Sequence, residues 1–380
     1  EIVSRGCLIQ KEYYTYTKNF IEYFSPMNGH AQLYQRTWLN EDGSVAYEEI
    51  INEVDGRQET QVYRFPNHVF YSKQEFVAHF IRSLSLTDKD LLILDRETDI
   101  GQAIFANKGD AKLVVIVHAD HFSENPAEKD YILWNNYYEY QFEYADEVDY
   151  IINSTDAQTN LLKEQFAQYT TIKPKEILTI PVGSLDQLRH PEGERKPFGL
   201  ITASRLASEK HIDWLIHSVV KAHEQLPEIT FDIYGTGGER AMLEQLIHEL
   251  NAEEYIRLMG HHHMADVYRN YSAYLSASTS EGFGLTLLEA VGSGLPIIGF
   301  DVRYGNPTFI RDGENGYLIP EARPDDLDAM TTEYAEKIVQ LFTQHSQEDL
   351  SRVSYEVAEP YLDEHIAQRW YDLVQSAQHQ

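Results

Sequence analysis

A single cysteine, Cys7, stands in 380 residues. That excludes an intrachain disulfide and a cage of cysteine ligands around a metal, and it fits a reducing compartment or a bacterium that uses few thiols. Cationic side chains are scarce: 31 Lys and Arg face 61 Asp and Glu, for a formal net charge of −30. The far field therefore repels DNA, RNA and anionic lipid, and no nucleic-acid partner is expected. Any phosphate the protein binds has to be met by a local arrangement of donors. Long hydrophobic runs are missing too. Apolar stretches such as "LVVIVHA" and "LPIIGF" fall far short of the roughly 20 residues that span a bilayer. The opening "EIVSRGCLIQ" lacks the basic region and long apolar stretch of a signal peptide. The expected location is cytoplasmic. The sequon "NST" at Asn153 carries little weight without a secretory signal.

What is present is enough chain for two domains, each with its own core. Residues 1–75 differ from the rest. "AQLYQRTWLNEDGSVAYEEII" is two β-leaning runs joined at Asp42-Gly43, and "ETQVYRF" followed by "HVFYSK" continues the pattern through Pro66-Asn67; the reading is an antiparallel sheet. From residue 76 short apolar runs ("DLLILDRE", "KLVVIVHAD", "VDYIINST", "EILTIPVG") alternate with helix-like segments, among them a long aromatic helix expected over "DYILWNNYYEYQFEYA". Such alternation predicts a parallel sheet covered by helices. The polar, proline-containing stretch from Ser184 to Phe198 reads as a linker.

Beyond the linker the alternation becomes regular. Strands are expected at "FGLITAS", "ITFDIYG", "YIRLMG", "YLSAS", "LPIIGF" and "GYLIP", with helices at 209–226, 238–251, 264–271 and "LTLLEAVGSG". This describes a doubly wound α/β domain, where ligands sit at the carboxyl ends of strands. The chemistry-bearing residues stand there. After the first strand come Arg205 and Lys210, two cations beside a helix start, which together form a phosphate site in an otherwise acidic chain. After the second come Gly235, Thr236, Gly237 and Gly238; after the third His261, His262 and His263; after the fourth "TSEGFG", with Glu281 in the turn and Glu289 in the following apolar helix.

Each has a plainer reading. "GTGG" serves equally as a tight turn or as a place where a ligand approaches the backbone. Three adjacent histidines point different ways from one loop, which argues against a metal site there. Glu289 in "LTLLEAVG" demands a partner, which a hydroxyl-bearing ligand would supply. His118, at the end of "LVVIVHAD", is either structural or faces a cleft. Tyr137, Tyr138 and Tyr140 suit a core or interface better than a sugar platform.

"RLASEK", "YGTGGE" and "STSEGFGLTLLEA" together resemble the C-terminal half of family 4 retaining glycosyltransferases of the GT-B architecture, with the E-x7-E spacing from Glu281 to Glu289. Five further stretches, "YQRTWLNEDGS", "LILDRETDIGQ", "YILWNNYYEYQF", "RKPFGLITASRLASEKHIDWL" and "GFDVRYGN", are similar to one group. These are the bacterial enzymes of the accessory Sec system that add the first O-linked sugar to serine-rich-repeat adhesins. The resemblance covers essentially the whole chain.

It implies an α/β GT-B fold of two Rossmann-like lobes with an added antiparallel sheet. Residues 1–75 would be the extension sheet for acceptor and partner binding, 76–185 the acceptor-side lobe, 186–352 the nucleotide-sugar lobe and 353–380 a C-terminal helix returning toward the first lobe. It also implies roles. Arg205 and Lys210 would hold the donor diphosphate, Glu289 the ribose of UDP, and Glu281 the donor sugar. The amides of Phe283, Gly284 and Leu285 would take phosphate and sugar, Gly235 and Gly237 would border the donor, and the loop of His261 and His262 would receive the uracil. His118 and Glu281 are the residues expected at the reacting sugar.

The implied donor is UDP-N-acetylglucosamine or UDP-glucose, with no metal. The acceptor is a serine-rich-repeat protein, and the partner is a homologous non-catalytic companion through which the enzyme would sit peripherally at the inner membrane face. The family's first strand and glycine-rich loop have no counterpart before Glu1, so an N-terminally truncated chain is expected, and it is transfer rather than donor binding that such a loss would affect. Two alternatives remain: a GT-B enzyme of glycan or glycolipid synthesis, and a non-catalytic subunit. The first would want a basic or amphipathic membrane face, and the second would have no need of Arg205, Lys210, Glu281 and Glu289.

Overall fold

The computed structural model of the chain describes residues 1–27, 29–54, 57–96, 99–123, 131–320 and 324–379. The chain divides into two compact units, Glu1–Leu113 and Val114–Gln380, a division that falls inside the stretch read from sequence as the first lobe.

The first unit is built on a seven-stranded antiparallel meander in which each strand pairs with the next in sequence. The expected hairpin at Asp42-Gly43 joins strands His30–Leu39 and Val45–Val54, with Gly43 at φ +82, where an L side chain would be strained. Pairing register places Tyr13, Phe20, Trp38 and Tyr47 opposite one another on successive strands. Their rings form a ladder with centroids 4.2, 4.6 and 5.8 Å apart, each pair adding about 0.5–1.5 kcal/mol beyond area burial. One row along the same face, Arg36 bridges Glu22 and Glu49, both at 2.8 Å. Helix Lys73–Ser83, capped by the Ser72 hydroxyl, lays Phe76 on Tyr47, Tyr63 and Phe65.

In the second unit, strand Tyr150–Asn153, buried at every residue, pairs in parallel with Val114–Val117 on one side and Ile177–Thr179 on the other. Six parallel strands follow: Gly199–Ala203, Thr230–Tyr234, Ile256–Gly260, Ala273–Leu275, Ile297–Phe300 and Gly316–Ile319. Numbered by sequence, their order is 3-2-1-4-5-6, the doubly wound arrangement whose carboxyl edge forms a binding crevice. Two apolar cores flank the sheet, one around Leu215, Phe231 and Ile338, the other around Leu288, Phe309 and Tyr274. The last helices, Gln347–Ala358 and Asp363–His379, are separated by a turn at Pro360. There Leu362 pairs with Leu185, so the chain end returns to the start of the linker. Among the described residues no helix is long and apolar enough to cross a membrane.

Two expectations need correction. The single long helix over 130–145 is absent; Asp130 lies outside the described residues. Leu133–Trp134 is a strand pairing with Phe122–Ser123, and helix is confined to Glu139–Glu143. The break is at Asn135, whose side-chain oxygen accepts from the Tyr137 amide at 3.1 Å, the local competition by which asparagine opens turns. The helix expected over 264–271 shrinks to a single 3₁₀ turn, Tyr268–Asn270.

Candidate functional site

At the carboxyl edge of the six-stranded sheet lies a cavity of about 550 Å³. Arg205, Gly235, His261, His262 and Glu289 all line it, joined by Ser184–Asp186, Tyr234, Tyr268 and Thr286. Gly235 and Gly237 have a structural task as well. A side-chain carbon on Gly235 would stand 1.8 Å from the Ser204 carbonyl, and one on Gly237 2.2 Å from that of Leu206. Both glycines thus let the second strand's loop seat against the loop carrying Arg205, and Gly237 does so from outside the cavity lining.

The cavity's polar groups are held from below. Tyr234 pairs with Tyr271 through their hydroxyls at 2.9 Å, and Tyr271 donates to Asp232 at 2.6 Å. Asp232 is 1% exposed. Burial would push its carboxyl up, but Lys196 and Arg257, both at 2.9 Å, together with Tyr271 hold it below the usual range. The Tyr271 hydroxyl is pushed far up by burial and by its bond to that carboxylate. His262 meets the Tyr234 ring edge-on with centroids 5.3 Å apart. Glu289 accepts from Tyr268 at 3.0 Å. Burial raises the Glu289 carboxyl above its ordinary range, opposed by that bond and by the charges of Arg189 and His263.

Arg205 reaches into solvent and, among the described residues, its side chain pairs only with Glu209, at 3.0 Å on the surface. Lys210 turns instead to the fourth strand's loop, donating to Ser278 at 3.2 Å and Glu281 at 2.9 Å. Beyond Glu281 the backbone swings through Gly284, at φ +92, into helix Leu285–Gly292. The Glu281 carbonyl accepts from Tyr304 and Gly305. The amides of Phe283, Gly284 and Leu285 make no hydrogen bond among the described residues, while the Phe283 ring is buried against Phe309 and Tyr361. Three unengaged amides at a helix start, beside a lysine, form a nest for an anion.

His118 is brought to this turn. A side-chain carbon on Gly282 would lie 2.7 Å from the His118 carbonyl, so the two backbones touch, and Ser280 donates to Asp120 at 2.8 Å. The His118 loop is fixed by Tyr138, read from the sequence as core or interface and buried here, and by Gln158, which sequence reasoning left aside. The Tyr138 hydroxyl accepts from the amides of His118 and Ala119 at 3.0 and 3.1 Å, and Gln158 donates to the Ala119 carbonyl at 2.8 Å. His121, fully buried, donates through Nε2 to Gln165 at 2.6 Å, and Gln158 contacts its Nδ1 at 3.3 Å. Among the described residues no group of His, Cys, Asp and Glu side chains is arranged to hold a metal ion.

Residues 186–341 match the family described as "Glycosyl transferases group 1", and residues 1–67 match "GtfA extended beta-sheet domain". A relative in Streptococcus pneumoniae serotype 4, the "UDP-N-acetylglucosamine--peptide N-acetylglucosaminyltransferase GtfA subunit", is 53% identical over 379 residues, covering 100% of this chain and 74% of that protein. The crystal structure of the pneumococcal O-GlcNAc transferase GtfA in complex with UDP and GlcNAc superposes with a TM-score of 0.90 at 53% identity, over 98% of this chain and 72% of that one. That of a GtfA/B complex gives a TM-score of 0.86 at 53% identity, over 100% and 74%. With a fold shared at this identity over its whole length, the chain is an α/β GT-B glycosyltransferase and belongs to the family of GtfA subunits of UDP-N-acetylglucosamine–peptide N-acetylglucosaminyltransferases.

Proposed function

We propose that this chain moves N-acetylglucosamine from UDP-GlcNAc to Ser and Thr hydroxyls of a peptide, with retention of configuration, as the first O-glycosylation step of a serine-rich-repeat adhesin. The observation that carries it is the pairing of a nucleotide-sized cavity holding Arg205 and Glu289 with the adjoining turn of Lys210, Glu281 and three unengaged amides. Uracil lies at the loop of His261 and His262. Glu289, steadied by Tyr268, holds the ribose hydroxyls. Arg205, Lys210 and the amides of Phe283, Gly284 and Leu285 take up the charge that develops on the departing diphosphate. Preorganised donors of this kind supply the largest share of barrier lowering in such sites, and the chemistry draws on no metal.

Glu281 and His118 hold the sugar. The acceptor hydroxyl attacks the anomeric carbon from the face that the leaving group departs, through an oxocarbenium-like state, and its proton passes to the diphosphate. Neither glutamate acts as a nucleophile, so the carboxylate spacing of glycosidases does not apply. The chain works in the cytoplasm with a homologous companion, docked through residues 1–75, and lies peripherally at the inner membrane face through that companion. Mass spectrometry of a serine-rich peptide incubated with UDP-GlcNAc or UDP-glucose, with and without the companion, tests the reading. Addition of N-acetylhexosamine supports it; no addition from either donor with the companion present overturns it.

A further inference from the structure

Next to the Glu281 turn lies a second, smaller cavity of about 260 Å³, formed by Asp120, Phe122, Thr279, Ser280, Asp301 and Arg303 with Val302. We propose that it is the acceptor subsite, and that it takes an uncharged or basic hydroxyl-rich peptide while rejecting acidic acceptors. The proposal rests on the transferase reading above.

Its place follows from chain geometry. Ser280 directly precedes Glu281, and Asp120 follows His118 by two residues, so the walls of this cavity continue from the side chains assigned to the sugar. The larger cavity is lined by residues beyond the turn, Thr286 and Glu289. A transferase has to bring two ligands together at one sugar, and these two cavities flank the segment that holds it.

The walls are fixed. Ser280 donates to Asp120 at 2.8 Å, and the Arg303 guanidinium lies over the Phe122 ring, 5.1 Å from its centroid, within the range of a cation–π contact. The chemistry then selects the occupant. Asp301 is exposed, and its carboxylate takes no hydrogen bond among the described residues. With Asp120 it presents acceptors suited to the N–H and O–H donors of a serine-rich backbone. Among the described residues of this lining, two carboxylates stand against one guanidinium, so an acidic side chain or a polyol phosphate would meet like charge there.

The test uses the chain together with its companion, UDP-GlcNAc, and two serine-rich peptides that differ only in Lys or Glu beside the target serine. Wild type is expected to show a KM several-fold higher for the Glu peptide. Asp301→Asn should raise KM for the Lys peptide about tenfold, the worth of one hydrogen bond to a charged group, and narrow the ratio between the peptides. UDP affinity by calorimetry should stay within twofold. Arg303→Ala should raise KM for both peptides. If both variants keep wild-type KM and peptide ratio, the subsite is overturned while the transferase reading stands. A wild-type complex that binds UDP-GlcNAc and modifies neither peptide contradicts that reading, and the subsite with it.

Discussion

Lys210 and Glu281, far apart in sequence, meet at 2.9 Å with about a fifth of each side chain exposed. The cation assigned to the diphosphate and the carboxylate assigned to the sugar are thus neighbours before any donor arrives, each restraining the other in the position it has to occupy.

This pairing sets an order among the phosphate ligands. Arg205→Ala and Lys210→Ala are each expected to weaken UDP by ~1.5 to 3 kcal/mol, the range for hydrogen bonds to charged groups. Only Lys210→Ala should also impair use of the sugar, because it leaves Glu281 without its partner. Calorimetry with UDP and steady-state assay of transfer measure the two effects. Unchanged UDP affinity in both variants would remove the diphosphate from this loop.

Tyr138 offers a test of positioning. Tyr138→Phe keeps the ring packed on Phe142 but deprives the part-buried amides of His118 and Ala119 of their acceptor, at about 1 kcal/mol, the net worth of an ordinary hydrogen bond. The expected result is unchanged UDP affinity with kcat lowered about tenfold. A variant with wild-type kcat would detach the His118 loop from the chemistry.

The buried His121 contributes to the pH dependence of stability. Burial holds His121 down near 4, against the opposing effects of the hydrogen bond it donates to Gln165 and the charge of Asp120. Between about pH 6.5 and 4 the unfolded chain binds a proton that the folded chain refuses, so this contribution is complete above pH 6.5 and is lost on acidification, up to about 3 kcal/mol. Urea unfolding at pH 7 and pH 5 should show a smaller loss on acidification in His121→Gln than in wild type. Equal losses would mean that His121 is protonated alike in both states.

Much of this was legible because fully buried parallel strands read as unbroken apolar runs. "FGLITAS" contains Gly199–Ala203 and "LPIIGF" contains Ile297–Phe300, and with the strands located, the rule that ligands sit at their carboxyl ends points to Arg205, Gly235, His261 and Glu281. Contacts between distant segments left no local pattern. Nothing in the run around Tyr138 shows that its hydroxyl braces His118, and nothing in "SEGFG" shows that Gly282 is small because the His118 carbonyl lies against it. The aromatic stretch after Asp130 misled for a related reason: composition favoured a helix, and one asparagine side chain opened a turn within it.

The central claim is that two carboxylates of one strand-turn-helix unit divide the donor between them. Titrating UDP and UDP-N-acetylglucosamine into Glu281→Gln and Glu289→Gln gives four affinities, and both substitutions preserve shape, so losses report charge and hydrogen bonding. Glu289→Gln should weaken both ligands alike, because they share one ribose. Glu281→Gln should weaken UDP-N-acetylglucosamine and slow transfer while leaving UDP nearly untouched. A Glu281→Gln defect of equal size for both ligands would contradict the division and make the whole turn a nucleotide loop.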